Sequence, residues 1–245
     1  MNNKKFHYAW IVMIGCALTQ IGSLGAVVYS VGAFYGPVSE ALGVGRGDVA
    51  LSQTILALVQ AFSLPFVGKF IAKRKLNVAM GIAGIGFAGG YALLSLYDSI
   101  YPWYITTAFM GFCGAFIAFL PVPMLINSWF QKKSGLALGI ATACGGLGGA
   151  VLTPVASSLI QSYGFQTAFL VMACISVVFI TLPALFLIRN KPSDMGLEPY
   201  GAGETSAAAA AQSPAGELEG TPYAEAVKSK NYYFIFIACA LLGTL

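Results

Sequence analysis

The sequence predicts an all-α membrane protein, a six-transmembrane-helix bundle, and three observations lead to this fold class. Charged residues make up 9% of the 245 residues and hydrophobic residues 58%, whereas a soluble domain usually has about 25% charged residues. Six apolar stretches are long enough to cross a bilayer, which takes about 20 residues in a helix. The Lys and Arg residues cluster in alternate connections between these stretches.

The six stretches follow one another with short connections. They run from Trp10 to Phe34, Val49 to Ile71, Val78 to Tyr97, Trp103 to Ser128, Gly135 to Ile160 and Phe165 to Ile188. Continuous apolar runs of this length do not fit a β-barrel, whose strands are short and alternate. A helix satisfies its own backbone hydrogen bonds in lipid. The first stretch is too long for a signal peptide, and five more follow it.

Twelve of the thirteen Lys and Arg residues fall on one side of the membrane when the chain crosses it at every stretch. They are Lys4 and Lys5, then Lys69, Lys73, Arg74 and Lys75, then Lys132 and Lys133, and finally Arg189, Lys191, Lys228 and Lys230. Only Arg46 lies on the other side. Because cytoplasmic loops collect Lys and Arg, we expect a multi-pass protein of the inner (plasma) membrane with a cytoplasmic N-terminus, residues 1–9.

The chain changes in composition after the transmembrane bundle, residues 10–188. Residues 189–231 are polar and hold four prolines, which predicts a flexible cytoplasmic linker, with a possible short amphipathic helix from Tyr223 to Lys230. Residues 232–245 begin a seventh apolar run that is too short to span a membrane. We therefore expect one half of a larger bundle; a natural six-helix protein that pairs with another copy is the alternative.

No residue set for catalysis, metal binding or a phosphate loop is recognisable. All nine acidic residues lie in loops or at helix ends, and the five cysteines lie in apolar stretches without ligand spacing, where free Cys behaves as a small hydrophobe. We expect no enzyme activity, no cofactor, no metal and no disulfide. The positive charge is dispersed over loops that face one leaflet, so the expected partner is the lipid bilayer and not nucleic acid.

Uncharged polar side chains interrupt the apolar stretches near their middles. For Gln20 and Gln60, helix-to-helix hydrogen bonding and the lining of a wet cavity both explain an amide at this depth. Ser and Thr indicate less, because their hydroxyls can bond back to their own helix.

The most specific stretch extends from Asn127 to Gly148. Trp129 and Phe130 predict an aromatic anchor at the membrane interface, Lys132 and Lys133 predict a cytoplasmic turn, and small residues follow on the fifth helix. This stretch resembles the loop and fifth helix of the major facilitator superfamily, in the branch of monocarboxylate transporters and oxalate/formate antiporters. Tyr29 to Val38 and Arg189 to Leu197 are similar to bacterial members of that branch.

This resemblance implies the N-terminal half of a twelve-helix secondary transporter that moves a small organic anion, such as a monocarboxylate, by alternating access. Helices one, two, four and five would line the path, with candidate substrate contacts at Gln20, Tyr29, Gln53, Gln60, Phe119 and Thr142. A gate or conformational motif is implied at Gly68, Lys73, Arg74, Trp129, Phe130, Lys132, Lys133, Gly135 and Gly139. The absent C-terminal half would be the partner and would supply the cation that compensates the anion.

The sequence also departs from the family pattern. Ala72 stands where the signature between helices two and three carries an Asp, and Cys144 stands where a Gly is usual. Phe119 lacks the hydroxyl and Gly145 the ring of the aromatic residues that line an oxalate site, so oxalate is not the expected substrate. A non-transporting membrane sensor or assembly subunit of the same fold, or a transporter of another small solute, is the alternative.

Overall fold

The computed structural model describes residues 7–71, 76–117 and 119–202, and these residues are almost entirely helical. The first half contains α1 (Tyr8–Gln20), a π-helix (Ile21–Tyr29), α2 (Gly32–Leu42), α3 (Arg46–Ile71) and α4 (Leu76–Leu94). The second half contains α5 (Ile100–Ala115), α6 (Pro121–Trp129), α7 (Ser134–Ser176), a second π-helix (Val177–Thr181), α8 (Leu182–Phe186) and a 3-10 turn (Pro192–Met195).

Local sequence explains where several helices begin and end. His7 caps α1, because its Nδ1 accepts a hydrogen bond from the backbone N–H of Ala9 at 3.2 Å. Gly43 ends α2 with a φ of 63°, a left-handed conformation that suits glycine. Asp48 lies in the first turn of α3, and its carboxylate accepts a hydrogen bond from the backbone N–H of Gly45 at 3.0 Å. This contact satisfies a donor at the start of the helix.

Four helical segments of the described chain are long and apolar enough to cross a membrane. They are Tyr8–Tyr29, Arg46–Ile71, Leu76–Leu94 and Ser134–Phe186. The last is 53 residues long, whereas a single crossing takes about 20. Inside it, Gly164 has φ 83° and ψ 164°, which no α-helical residue adopts.

The chain reverses at Gly164. Before it, the hydroxyl of Thr153 donates to the carbonyl oxygen of Tyr29 at 3.3 Å, and Gly145 lies against Leu24, so α7 first runs parallel to the first helix. After it, Phe169 stacks on Phe34 with ring centroids 4.3 Å apart.

Later residues of the segment after Gly164 contact earlier residues of the first helix. Ile180 and Phe179 lie against Gly22, and Ile188 lies against Gly15. The segment after Gly164 therefore runs antiparallel to the first helix. The two sides of Gly164 correspond to the fifth and sixth stretches of the sequence.

The fourth stretch is interrupted in the structure. Helix α5 ends at Ala115 and α6 begins at Pro121, although the apolar sequence continues between them. Pro121 lacks a backbone N–H donor, and proline disfavours helical backbone in the residue before it. The prediction of one continuous helix from Trp103 to Ser128 is therefore wrong in this detail.

The bundle has two ends, which we name after Trp129 and Phe169. At the Trp129 end, the ring of Tyr8 lies 5.5 Å from that of Trp129, and the indole N–H of Trp129 donates to the carbonyl oxygen of Arg189 at 2.9 Å. At the Phe169 end, Phe169 contacts Phe34, Tyr91 and Trp103. The described basic residues Lys69, Lys132, Lys133, Arg189 and Lys191 lie near the Trp129 end, and Arg46 begins α3 near the Phe169 end.

An aromatic clamp of His7, Trp10, Phe130 and Tyr200 covers the Trp129 end. The ring of Tyr200 lies 5.5 Å from His7, 5.7 Å from Trp10 and 5.7 Å from Phe130. Tyr200 also forms a parallel β-bridge with Phe130, and its backbone N–H donates to the carbonyl oxygen of Trp129 at 2.8 Å.

The clamp changes two expectations from the sequence. Trp129 is fully buried and Phe130 is 2% exposed, so this pair packs inside the protein and is not an anchor exposed to the membrane interface. The start of the predicted flexible linker, Arg189 to Ala202, is held against the bundle. The other linker residues, the possible helix from Tyr223 to Lys230 and the seventh apolar run lie outside the described residues.

Candidate functional site

The main cavity has a volume of about 470 Å³ and opens between the first π-helix, α3, α4 and the α5–α6 connection. Its walls are mainly aliphatic and aromatic, and Ser23, Gln53 and Gln60 are its polar lining residues. Among the described residues, no Asp, Glu, Lys, Arg or His lines it. A mostly apolar cavity with a few convergent polar groups is the usual form of a small-molecule site.

The first π-helix brings the hydroxyl of Ser23 to this cavity. The hydroxyl of Ser23 donates to the carbonyl oxygen of Thr19 at 2.8 Å and lies 3.4 Å from Oε1 of Gln20. Ser30 closes the other end of the segment, because its hydroxyl donates to the carbonyl oxygen of Gly25 at 2.7 Å. π-helical turns inside α-helices occur frequently at functional sites.

Of the predicted substrate contacts, Gln53, Gln60 and Phe119 line the cavity. Phe119 is 55% exposed, so its ring stands at the open side. Gln20 is 4% exposed and reaches the cavity only through Ser23. Its amide is placed for a supporting contact within the first helix.

Tyr29 and Thr142 lie apart from the cavity. A Cβ on Gly149 would meet the side chain of Tyr29, so this tyrosine packs across α7. The hydroxyl of Thr142 donates back to the carbonyl oxygen of Leu138 at 2.9 Å, on an exposed face of α7. Tyr29 lies on the same π-helix as the lining residue Ser23, whereas no residue of α7, which carries Thr142, lines this cavity.

Close packing of the first helix on α7 sets one wall of the cavity. A Cβ on Gly148 would lie 2.9 Å from the Cα of Ile21, and one on Gly25 would lie 3.0 Å from the backbone of Gly148. Any side chain at these positions would separate the two backbones. Small residues allow this approach in membrane helices.

A smaller cavity of about 30 Å³ lies next to the main one and shares Val27, Gln53 and Leu56 with it. Trp103 lines the small cavity, is 3% exposed, and its indole N–H has no hydrogen-bond partner in the described structure. A space of this size and polarity suits one water molecule. Gln53 thus stands between a solute-sized cavity and a water-sized one.

The residues of the predicted gate motif occupy different surroundings. Gly68 faces Leu120, while Trp129 and Phe130 are buried beneath the segment that holds Tyr200. Lys132 and Lys133 are exposed. A Cβ on Gly135 or Gly139 would meet no heavy atom within 4 Å, and Lys73 and Arg74 lie outside the described residues.

The sequence did not indicate several apolar lining residues. Val28, Phe87 and Ile117 contribute to the main cavity but look like any other apolar residue of a membrane helix. Only Ser23 carried a signal, as a polar residue three positions after Gln20. Among the described residues, no group of three or more His, Cys, Asp or Glu could hold a metal ion.

Comparison with known proteins gives a consistent result. The chain matches the family model of the Major Facilitator Superfamily over residues 11–245. It is 29% identical to the oxalate:formate antiporter of Oxalobacter formigenes over 77% of this chain and 43% of the relative. Monocarboxylate transporter 4 of Rattus norvegicus is 25% identical over 79% of this chain and 41% of the relative. The probable transporter MCH2 of Saccharomyces cerevisiae is 32% identical over 72% of this chain and 31% of the relative.

The chain spans less than half the length of these relatives. More than half of each relative therefore lies outside the part that aligns with this chain.

Proposed function

Because the chain belongs to the Major Facilitator Superfamily, we propose that it is the N-terminal half of a secondary active transporter that moves a small organic anion, such as a monocarboxylate, by alternating access. The observation that carries this proposal is the cavity that brings Gln53 and Gln60 together on an apolar wall. Relatives named as monocarboxylate transporters and an oxalate:formate antiporter support the solute class.

The chemistry of the cavity fits a singly charged acid with a short apolar part. Each glutamine amide has two N–H donors for a carboxylate, and the aliphatic lining suits the rest of the solute. None of the described residues that line the cavity is a cation, so in this proposal the compensating Arg or Lys comes from the C-terminal half. Transport, and not catalysis, is the activity that this neutral donor set supports.

The proposed topology is a six-helix crossing of the inner (plasma) membrane with the Trp129 end in the cytoplasm. The reversal at Gly164 divides Ser134–Phe186 into two crossings, and α5 with α6 forms a further broken one. The basic residues near the Trp129 end support this orientation. Five of the six described Lys and Arg residues lie there, with Arg46 the exception.

The proposed gate lies at the same end. The predicted motif residue Trp129 ends α6, and Phe130, Lys132 and Lys133 follow it where the chain joins α7. We assign Gly68, Lys73, Arg74, Gly135 and Gly139 to this gate on the family resemblance alone. In the alternating cycle this region would open and close the cytoplasmic side of the cavity.

Transport by the full-length protein in liposomes tests the proposal. We expect saturable uptake of labelled lactate, pyruvate, formate or acetate, and exchange against an internal acid if the protein is an antiporter. Empty liposomes and liposomes with heat-denatured protein are the controls. Uptake of a sugar or a drug together with no uptake of any of the four acids would contradict the proposed solute class.

A further inference from the structure

A third cavity, the phenylalanine groove, lies between α3, α4 and α5 and has a volume of about 390 Å³. Five phenylalanines and one glycine define it: Phe66, Phe70, Phe109, Phe112, Phe116 and Gly86. None of its lining residues also lines the main cavity. It is therefore separate from the proposed transport path.

Aromatic side chains that pack against one another form the walls of the groove. The ring of Phe116 is 8% exposed and receives the edges of Phe70 and Phe112, with centroids 5.6 and 5.4 Å away. Phe66 is 69% exposed and Phe109 is 50% exposed on the rim. The groove is deepest at Gly86, which has no side chain. A Cβ at this position would lie 2.9 Å from the sulfur of Cys113.

The position of the groove along the helices places it in one leaflet. Its lining on α4 runs from Ala79 to Gly86, which is about 10 Å at a rise of about 1.5 Å per residue. Helix α4 begins at Leu76, at the Trp129 end. The groove therefore extends from that membrane surface toward the middle of a hydrocarbon core about 30 Å thick.

The dimensions favour a narrow occupant. A volume of about 390 Å³ divided by a length of about 10 Å gives a cross-section of roughly 40 Å². A helix with its side chains is about 10 Å across and needs roughly twice that area. A single acyl chain, which is thin and flexible, fits the groove.

A lysine adjoins the groove on α3, directly before the lining residue Phe70. Lys69 is exposed and follows Phe66 by three positions on α3, so it lies on nearly the same helix face. Its flexible stem lets the ammonium group reach the headgroup layer. No acidic residue lies in the sequence between Asp48 and Asp98, so no nearby carboxylate in sequence competes for the ammonium group.

We propose that the phenylalanine groove binds one acyl chain of an anionic phospholipid whose phosphate is held by Lys69. The aromatic walls and the glycine floor contact the chain, and the lysine selects the charge of the headgroup. A basic residue beside an apolar pocket on one side of the membrane is a physical basis for such selection. This inference needs the bundle to be embedded in a membrane with the groove facing lipid, and it does not depend on which solute the protein moves.

Native mass spectrometry of the full-length protein in detergent tests the proposal. Phosphatidylglycerol and phosphatidylcholine with identical acyl chains are added separately. We expect the wild type to retain one phosphatidylglycerol molecule and at least about tenfold less phosphatidylcholine. Lys69→Gln should lower phosphatidylglycerol retention to the phosphatidylcholine level, while Lys191→Gln, an exposed lysine beyond α8, should leave it unchanged.

Filling the groove tests the acyl-chain contact. Gly86→Leu should lower phosphatidylglycerol retention at least about tenfold, whereas Gly89→Leu, an exposed position on the same helix with no heavy atom within 4 Å, should retain the lipid. If Gly86→Leu does not give a monodisperse protein, Ile82→Trp fills the groove from its rim, where Ile82 is 66% exposed.

Three results would overturn the proposal. One is equal retention of the two lipids by the wild type. Another is unchanged lipid retention when the groove is filled. The third is a dimer of the wild type that Gly86→Leu or Ile82→Trp abolishes, because the occupant would then be a second copy of the chain.

Discussion

At the scale of single residues, Gln53 and Gln60 face the main cavity, while Thr142 bonds back to its own helix. We predict that Gln53→Leu and Gln60→Leu each lower kcat/KM for the transported acid about tenfold to a hundredfold. A hydrogen bond to a charged group contributes roughly 1.5–3 kcal/mol. Thr142→Val should leave uptake kinetics in liposomes unchanged. Equal kinetics for all three variants would remove the glutamines from the solute site.

Gly148 provides a second prediction, because it sets the distance between the first helix and α7. Gly148→Ala places a methyl group 2.9 Å from the Cα of Ile21, and such overpacking costs about 1–3 kcal/mol. We expect Tm in detergent to fall by several degrees. Gly146→Ala is the matched control, since its Cβ would meet no heavy atom within 4 Å. A Tm that is the same for both variants would contradict the close approach.

Single residues also show how far sequence reasoning extends. Gln53 and Gln60 could be selected because an amide in an apolar helix needs polar partners. Tyr29 was selected by its register in the family motif, and Thr142 as an uncharged polar residue near the middle of an apolar stretch. Neither criterion gives the direction of a side chain. Val28 and Ile117 could not be selected at all, because an apolar residue has the same chemistry on a lipid-facing surface and in a cavity wall.

At the scale of helices and loops, the segment after α8 holds the Trp129 end together. We predict that Tyr200→Ala increases amide hydrogen exchange in residues 189–202 at least about tenfold, because several aromatic pairs of roughly 0.5–1.5 kcal/mol each are lost. Hydrogen-exchange mass spectrometry measures this. Met195→Ala is the control, since this side chain is 44% exposed. Unchanged exchange in Tyr200→Ala would mean that the rings contribute nothing to docking.

Helix lengths were the most predictable feature, and their irregularities were the least. Stretches of apolar residues indicate α3 and α4 closely, because crossing the membrane requires a minimum length. The π-helix of the first crossing and the break between α5 and α6 arise from local contacts, such as those of Ser30 and Pro121, that composition does not reveal. The docking of Tyr200 joins segments that are far apart in the sequence, so no local pattern predicts it.

At the scale of the whole molecule, the alternation of Lys and Arg predicts which end is cytoplasmic. Asp98 and Asp194 are exposed at opposite ends of the bundle. In a variant that lacks the five cysteines, we expect a membrane-impermeant maleimide to label Asp98→Cys in right-side-out vesicles. Asp194→Cys should react only after permeabilisation. The opposite labelling pattern would reverse the proposed orientation, and labelling of both sites in sealed vesicles would contradict the number of crossings.

Family membership and membrane embedding follow from both the sequence pattern and the matched family model. The solute, the orientation and the gate stay predictions, because in the proposed transporter they depend on side chains of both halves acting together. A cavity that no charged residue of the described part of the chain lines is chemically incomplete as an anion site.

The aromatic clamp also constrains the order in which the protein assembles. His7 and Glu198, which are joined by a contact of 3.1 Å, are 191 positions apart. The clamp cannot close until the ribosome has released Tyr200, long after Trp10 has entered the membrane. Until then the rings of Trp10 and Phe130 lack their contacts with the ring of Tyr200. Closure of the clamp is therefore a late step in the biogenesis of this bundle, which follows the synthesis of residues 10–188.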